Sequence, residues 1–405
     1  MLNASLLFVL TLSLTGDGRE RPARSPHVLV SIERRVSEPQ PLPDSSDAVQ
    51  DPAARARMSY ARAVELERAG NHPAALALLW EAAGLAPQDA DIQHRLGEAL
   101  ERIGALDAAI DAFRKALAAR PAFRKAANSL ILTLVKAGRG PEAVERARAL
   151  VSASPDDPDV YFTLGLAQSE QDVQDAITSF RRALTLAPRH ALARYNLALV
   201  LKRADRLPEA VDELRRAIEI EPRAEAHYTL GVIYWHQGDL ERAAEALRAA
   251  TAAQPDYPEA HHTLGAVLTA RGDWAGAARS LRQALAVRPD LAAAHYTLGQ
   301  VLQRSGDDAA ARKHLDEAER LRRHGQLQQE AGVWTATGIQ RLEAADLSGA
   351  LDHFRRAIQI FEGYAPAHYQ MGRVLQRLGQ HDAARAAFGR AQQLNPSLVP
   401  PPESR

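Results

Sequence analysis

Apolar residues return every three or four positions in short segments along most of the chain, which is the spacing of one helix face. These segments come in pairs, and the apolar positions of one pair are Leu96, Leu100, Ile103, Ile110, Phe113 and Leu117. Gly104 lies between the two halves of this pair, where a tight turn with positive φ favours a residue without Cβ. Pro121 follows the second half and ends the helix. The pattern predicts a hairpin of two short helices.

The same pair of segments repeats along the chain, and most copies are closed by a proline. The closing prolines are Pro87, Pro121, Pro155, Pro188, Pro222, Pro255 and Pro289. Successive members of this set are 33 or 34 residues apart. A fixed period of this length indicates an array of stacked units, each packed on its neighbours, rather than one central core.

One unit can be read from its recurring positions in order. These are His261, Leu264, Gly265, Leu268, Gly272, Ala277, Leu281, Ala284 and Pro289. Their order and spacing resemble the tetratricopeptide repeat, and about ten such units lie within residues 56–398. The resemblance implies an all-α, right-handed solenoid of about ten tandem helix hairpins. It also implies a binding scaffold that presents a concave groove to a protein or peptide segment.

The chain divides into six predicted segments. Residues 1–16 are a candidate secretory signal, with an apolar run at residues 6–14, and residues 17–52 are predicted to be a disordered Pro/Ser-rich linker. Residues 53–323 are predicted to hold eight repeats and residues 331–398 two more, followed by a tail at 399–405. Between them, residues 324–330 are predicted to be an irregular connection, because Arg323 stands where a closing proline would fall.

The location of the chain depends on residues 1–16. A cleaved signal predicts a periplasmic or secreted protein, whereas an uncleaved anchor and a misplaced start are the alternatives. Without a signal, the expected location is the cytoplasm. The basic residues are mostly Arg, and this bias together with abundant Ala favours a bacterial origin.

Composition narrows the function classes. The chain has 50 basic and 50 acidic residues, and a formal net charge of zero removes the general attraction to phosphate that nucleic-acid binding uses. It has no cysteine, which excludes disulfides, thiol catalysis and Cys-ligated zinc. No serine-nucleophile, phosphate-loop or zinc-protease motif is present in the sequence. We therefore expect a non-catalytic protein with no cofactor or metal, and with no integral membrane span in the mature chain.

In the family that the chain resembles, the first helix of each unit lines the groove, and the residue two before the Leu-Gly pair points into it. Aromatic rings and imidazoles occupy this position in most units. The predicted partner-binding residues are Tyr195, Asn196, Lys202, Tyr228, Thr229, Trp235, His236, His262, Thr263, Tyr296, Gln300, Arg304, Tyr369 and Arg373. Such a groove suits an extended peptide or an amphipathic helix.

Three alternatives remain open at this point. The rings could pack against the neighbouring unit instead of facing a partner. They could also stack against sugars, which would make the chain a periplasmic carbohydrate- or polymer-binding assembly factor. The recurrent histidines His227, His261 and His295 could bind a metal, although core packing explains them well. The sequence leaves the oligomeric state open.

Overall fold

The structure is a computed structural model that describes residues 51–396 and 398. These residues fall into two compact units that divide between Glu221 and Pro222. The N-terminal unit contains α1 (Pro52–Arg68), α2 (His72–Leu85), α3 (Ala90–Arg102), α4 (Leu106–Ala119), α5 (Arg124–Lys136), α6 (Gly140–Ala153), α7 (Pro158–Gln168), α8 (Val173–Leu186), α9 (Ala191–Arg203) and α10 (Leu207–Ile220).

The C-terminal unit continues the same alternation of helices. It contains α11 (Ala224–His236), α12 (Leu240–Ala253), α13 (Pro258–Ala270), α14 (Trp274–Val287), α15 (Ala292–Arg304), α16 (Asp308–Glu343), α17 (Leu347–Ile360), α18 (Ala365–Arg377) and α19 (His381–Leu394). No strand occurs among the described residues. The prediction of an all-α protein built from tandem helix hairpins is confirmed.

The turns inside the hairpins follow from local sequence. Between α13 and α14, Gly272 has φ +78°, a left-handed conformation that costs glycine little. The carboxylate of Asp273 then accepts a hydrogen bond of 2.8 Å from the backbone N–H of Gly276, which caps the start of α14. Arg271, Gly272 and Asp273 together form the turn between α13 and α14.

Inside each hairpin the two helices cross closely because one of them has a glycine or another small residue at the crossing point. A Cβ added to Gly97 would lie 2.5 Å from an atom of Phe113, and one added to Gly265 would lie 2.6 Å from Cγ of Leu281. Phe113 and Leu281 are fully buried. The large side chain of the second helix therefore fills the space that the glycine of the first helix leaves open.

Neighbouring hairpins are joined by contacts between the second helix of one and the first helix of the next, as in α4 with α5 and α12 with α13. First helices also contact each other: α5 contacts α3 and α7, and α13 contacts α11 and α15. Among the described residues, successive second helices are not in comparable contact with each other. The first helices therefore lie on the inner side of the stack within each unit.

The irregular connection predicted at residues 324–330 is wrong, because α16 runs through it as one helix of 36 residues. No proline occurs between residues 290 and 365, and the segment is rich in Arg, Gln, Leu and Glu, which are good helix formers. Ion pairs three residues apart, Glu317–Arg320 and Glu319–Arg322, add support. Gly325 is tolerated inside the helix.

The long helix has two roles. Its first half pairs with α15 and its second half pairs with α17, so the nineteen helices of the described chain make ten hairpins. Residues 1–50 and the residues beyond 398 lie outside the described residues, and with them the predicted signal, the C-terminal tail and almost all of the predicted linker. The linker was predicted to reach residue 52, but Asp51 already caps α1 and Pro52 begins it. None of the described helices is both long and apolar enough to cross a bilayer.

Replacing Gly265 with alanine is expected to lower the free energy of unfolding by roughly 1–3 kcal/mol, because the new methyl group overlaps buried Leu281. The matched control is Gly325→Ala in α16, where a Cβ meets nothing within 4 Å. That control is expected to raise stability by about 0.5–1 kcal/mol. Urea unfolding followed by circular dichroism measures both, and equal effects of the two substitutions would contradict this account of the crossing.

Candidate functional site

Most of the predicted residues lie on three neighbouring first helices of the C-terminal unit. We call this surface the α11–α15 face. It consists of Tyr228, Trp235, His236, His262, Tyr296, Gln300 and Arg304. Because α13 contacts both α11 and α15, these side chains come from adjacent rows of one surface.

Several rings on first helices pack against the hairpin that follows them. His94 lies 5.0 Å from Phe123, Phe162 lies 5.0 Å from His190, and Tyr228 lies 5.2 Å from Tyr257, measured between ring centroids. In each pair the second residue directly precedes the next first helix. These rings hold adjacent hairpins together, which supports the packing alternative for Tyr228 on at least one side of its ring.

Tyr296 occupies the same repeat position but has a different environment. The next helix along the chain is the continuous α16, so no residue preceding a separate first helix is available to cover the ring. The side chain of Tyr296 is 54% exposed, and its hydroxyl oxygen accepts a hydrogen bond of 3.0 Å from the amide of Gln300. Tyr296 and Gln300 therefore form an accessible pair one helical turn apart.

The other residues of the α11–α15 face differ in accessibility. Trp235 is 36% exposed in the last turn of α11, and its ring lies 6.1 Å from that of His236. His262 is more covered, and burial followed by the charge of Arg288 lowers the pKa of its imidazole. Arg304 makes no ion pair with any described residue. The face thus offers aromatic surface, an amide and an unpaired cation.

The remaining predicted residues are less available to a partner. Tyr195 is buried, and Thr229 and Thr263 are buried as well. The hydroxyl of Thr229 donates to the carbonyl of Glu225 at 2.8 Å, and the amide of Asn196 donates to the carbonyl of Leu192 at 2.8 Å. Their role in partner binding stays a prediction.

Three further predicted residues lie away from the α11–α15 face. Lys202 is half-buried on α9 in the N-terminal unit, and burial lowers the pKa of its amine. Tyr369 packs on Phe388 with ring centroids 5.4 Å apart, and Arg373 donates to the side-chain oxygen of Gln370 at 3.0 Å. Both Tyr369 and Arg373 belong to α18, in the tenth hairpin.

The first helices of the N-terminal unit are linked by ion pairs. Glu67 on α1 is nearly inaccessible and bonds to Arg95 on α3 at 2.7 Å. Glu101 on α3 pairs with Lys136 on α5, and Glu170 pairs with Arg203 of α9 at 3.5 Å. No ion pair joins α11, α13 and α15 to one another among their described residues. The C-terminal unit therefore leaves its first-helix surface free of the charge pairs that occupy this surface in the other unit.

Sequence reasoning missed one recurring contact. His261 Nε2 lies 2.9 Å from the carbonyl oxygen of Pro255, and His295 Nε2 lies 2.9 Å from that of Pro289. Gln93 donates in the same way to Pro87 at 3.1 Å. A polar residue six positions after the closing proline therefore binds the carbonyl of that proline. This fixed spacing in the sequence is the signal that could have revealed it.

His295 makes a second contact that defines the tautomer of its neutral ring. Its Nδ1 lies 2.9 Å from Nδ1 of His314 on α16. Because Nε2 of His295 donates to Pro289, its Nδ1 accepts in the neutral ring, and His314 supplies the proton. Burial is the largest cause that lowers the pKa of His314, followed by the electrostatic effect of the neighbouring His295 and Arg282. No group of three or more His, Cys, Asp or Glu side chains suited to a metal ion occurs within the described residues.

Comparisons with known proteins identify repeats along most of the array. Models described as tetratricopeptide repeat match residues 60–122, 166–224 and 213–258, and a further one matches residues 341–397. A model described as TPR repeat matches residues 265–306.

Two curated proteins share part of the sequence. Anaphase-promoting complex subunit 3 of Dictyostelium discoideum is 29% identical over 96 residues, which cover 24% of this chain and 10% of that protein. Protein O-mannosyl-transferase TMTC3 of Homo sapiens is 27% identical over 158 residues, which cover 38% of this chain and 17% of that protein. The chain therefore spans less than a fifth of the length of either relative.

Among solved structures, the chain is similar to YrrB, described as a TPR protein with an unusual peptide-binding site. The two are 20% identical with a TM-score of 0.40, and the match covers 44% of this chain and 93% of YrrB.

Acid is expected to destabilise the fold through histidines that are buried or partly buried in the neutral form. Burial is the largest cause of the lowered pKa of His94, His227, His262 and His314. Below the ordinary histidine pKa of about 6.5, the unfolded chain binds more protons than the folded chain, so stability present above that pH is lost as the pH falls. The urea concentration at the midpoint of unfolding should therefore decrease as the pH is lowered from about 7.5 to about 5.

The substitution His262→Gln isolates one contribution to this pH dependence. It is expected to make the loss of stability over the acid range smaller than in the wild type, because one partly buried imidazole no longer titrates. His236→Gln, which changes an exposed ring at the end of α11, serves as the control and should leave the wild-type dependence intact. Identical pH profiles for His262→Gln and the wild type would refute this assignment.

Proposed function

Because this chain belongs to the tetratricopeptide repeat family, we propose that it is a non-catalytic scaffold whose α11–α15 face binds an extended peptide segment of a partner protein. The repeats themselves support a role in protein interaction. YrrB, a protein of similar repeat architecture, is described as having a peptide-binding site. The part of the proposal that is specific to this chain is the location of the binding surface.

The observation that carries this location is the contrast between the first-helix surfaces of the two units. In the N-terminal unit, ion pairs such as Glu67–Arg95 already occupy the charged groups of neighbouring first helices. On the α11–α15 face, the rings of Trp235 and Tyr296 are exposed, and the guanidinium of Arg304 forms no ion pair with any described residue. Tyr, Trp and Arg are the residues that most often dominate binding energy at protein interfaces.

The chemistry of the face suits an extended segment. The amide of Gln300 can exchange its hydrogen bond with Tyr296 for bonds to a peptide backbone, which has a donor and an acceptor at each residue. Arg304 lies one turn beyond Gln300 on α15 and favours an acidic side chain in the bound segment. The rings supply apolar contact on either side of these polar groups.

The proposal also includes export from the cytoplasm. The apolar run at residues 6–14 has the length of a signal-peptide core, and it is shorter than a membrane span. The test is cell fractionation followed by N-terminal sequencing of the purified protein. An intact N-terminus in the cytosolic fraction would contradict export and would leave the peptide-binding proposal unaffected.

The purified chain should bind members of a peptide array that share an acidic residue near aromatic or aliphatic ones. A glycan array probed in parallel addresses the carbohydrate alternative, for which the exposed rings of Trp235 and Tyr296 are also suited. Binding to glycans with no binding to peptides would overturn the proposal in favour of a carbohydrate-binding function.

For a peptide found in this way, Trp235→Ala and Tyr296→Ala are each expected to weaken binding by about 2 kcal/mol, or roughly thirtyfold in Kd. The matched control is Trp274→Ala, because Trp274 is 37% exposed, close to the 36% of Trp235, but lies at the start of the second helix α14. Isothermal titration calorimetry measures the affinities, and circular dichroism verifies the fold. A loss of affinity in the Trp274 variant equal to that in the Trp235 variant would place the binding surface elsewhere.

A further inference from the structure

Over its middle turns, no described helix packs along one face of the continuous helix α16. At the edge of that face, the ring of His324 lies 4.8 Å from the ring of Phe361. At the other junctions within each unit, a second helix is covered by the first helix of the next hairpin. At the junction between the eighth and ninth hairpins, both helices are parts of α16, and one continuous helix cannot pack against itself. From residue 319 to residue 330 every side chain is exposed apart from the half-buried Leu321.

The uncovered surface is a single helix face, which we call the α16 face. It borders a cavity of about 390 Å³, lined by Asp316, Glu319, Arg320, Arg323, His324 and Leu327. Counted from Asp316, these residues lie at positions i, i+3, i+4, i+7, i+8 and i+11, so they share one side of the helix over three turns. The acidic members precede the basic ones, and Leu327 at the far end is 36% exposed.

The charges on this face are only partly satisfied within the chain. Arg320 pairs with Glu317 at 2.5 Å, and Glu319 pairs with Arg322 at 2.7 Å. Asp316 and Arg323 form no ion pair with any described residue. They lie seven residues apart along the helix, which is two turns or about 10 Å.

The geometry points to a second copy of this chain as the occupant of the α16 face, with the two α16 helices packed antiparallel around a twofold axis between residues 319 and 320. In this arrangement Asp316 lies opposite Arg323 of the partner subunit, and Glu319 lies opposite Arg320 of the partner subunit. The twofold axis generates each of these contacts twice. Leu327 lies against the aliphatic stem of Arg312 of the partner subunit.

The order of the charges selects this arrangement over others. A parallel pair would place Asp316 against its own copy and Arg323 against its own copy, which is repulsive. An antiparallel pair around any axis displaced by one turn would lose at least one of the two complementary contacts. The segment from 316 to 323 is therefore complementary in charge to itself when reversed, and a twofold interface requires this property.

The association is expected to be weak and dependent on salt. Exposed ion pairs contribute little individually, and one pair of helices buries less surface than a standard protein interface. Pairing through α16 uses none of the residues of the α11–α15 face. The proposed dimer and the proposed peptide binding can therefore be tested independently of each other.

Sedimentation velocity of the full-length chain over a range of concentrations tests the inference. The wild type should form a reversible dimer at low ionic strength and dissociate when salt is raised from about 0.05 M to about 0.5 M, because screening shortens the range of the charge contacts. Asp316→Arg and Arg323→Asp should each weaken the dimer by about tenfold or more, since each creates like-charge contacts twice. Combining the two substitutions exchanges the charges and should restore the dimer.

The control is Asp352→Arg, which makes the same charge change at an exposed position of α17 and should leave the dimer intact. Circular dichroism verifies that all variants retain the helical fold. A chain that stays monomeric at every concentration overturns the inference. It is equally overturned by a dimer that survives both single substitutions, or by one that the double substitution fails to restore.

Discussion

The close crossing of two helices inside each hairpin is the constraint on which the rest of the structure depends. Gly97 and Gly265 let Phe113 and Leu281 reach across to the first helix and become fully buried. The hairpin is thereby fixed as a unit, and its outer surfaces are presented to the neighbouring units at a repeatable angle. The inner position of the first helices follows from this repetition, and so does the location of the candidate binding surface.

Features set by short-range sequence could be predicted, because the whole hairpin lies within one repeat. The positions of Gly104 and Pro121 mark the turn and the end of a helix directly. The predicted break at residues 324–330 is wrong because the loss of a closing proline does not by itself interrupt a helix. In this segment the absence of proline removes the stop signal, and residues with high helix propensity let the helix continue.

The accessibility of the site residues could not be predicted from their repeat positions. Tyr228 and Tyr296 occupy the same position, but Tyr257 covers one side of the first ring, whereas the second ring is 54% exposed. The difference arises because a separate first helix succeeds the hairpin of Tyr228, whereas the hairpin of Tyr296 runs on into a continuous helix. The ion pairs of Glu67 and Glu170 could not be predicted either. Each joins residues at least 28 positions apart, which meet only after the hairpins stack.

The continuity of α16 has a mechanical consequence for the hairpins on either side of it. A helix of 36 residues is about 54 Å long, and each of its residues advances the chain by about 100° around the axis. The eighth and ninth hairpins therefore share one helix, and the angle between them about its axis is set by the number of helical residues that separate them. Elsewhere in the array a change of loop length can be absorbed at a turn, but here the loss of one residue would swing the last hairpins around the axis by more than a quarter of a circle.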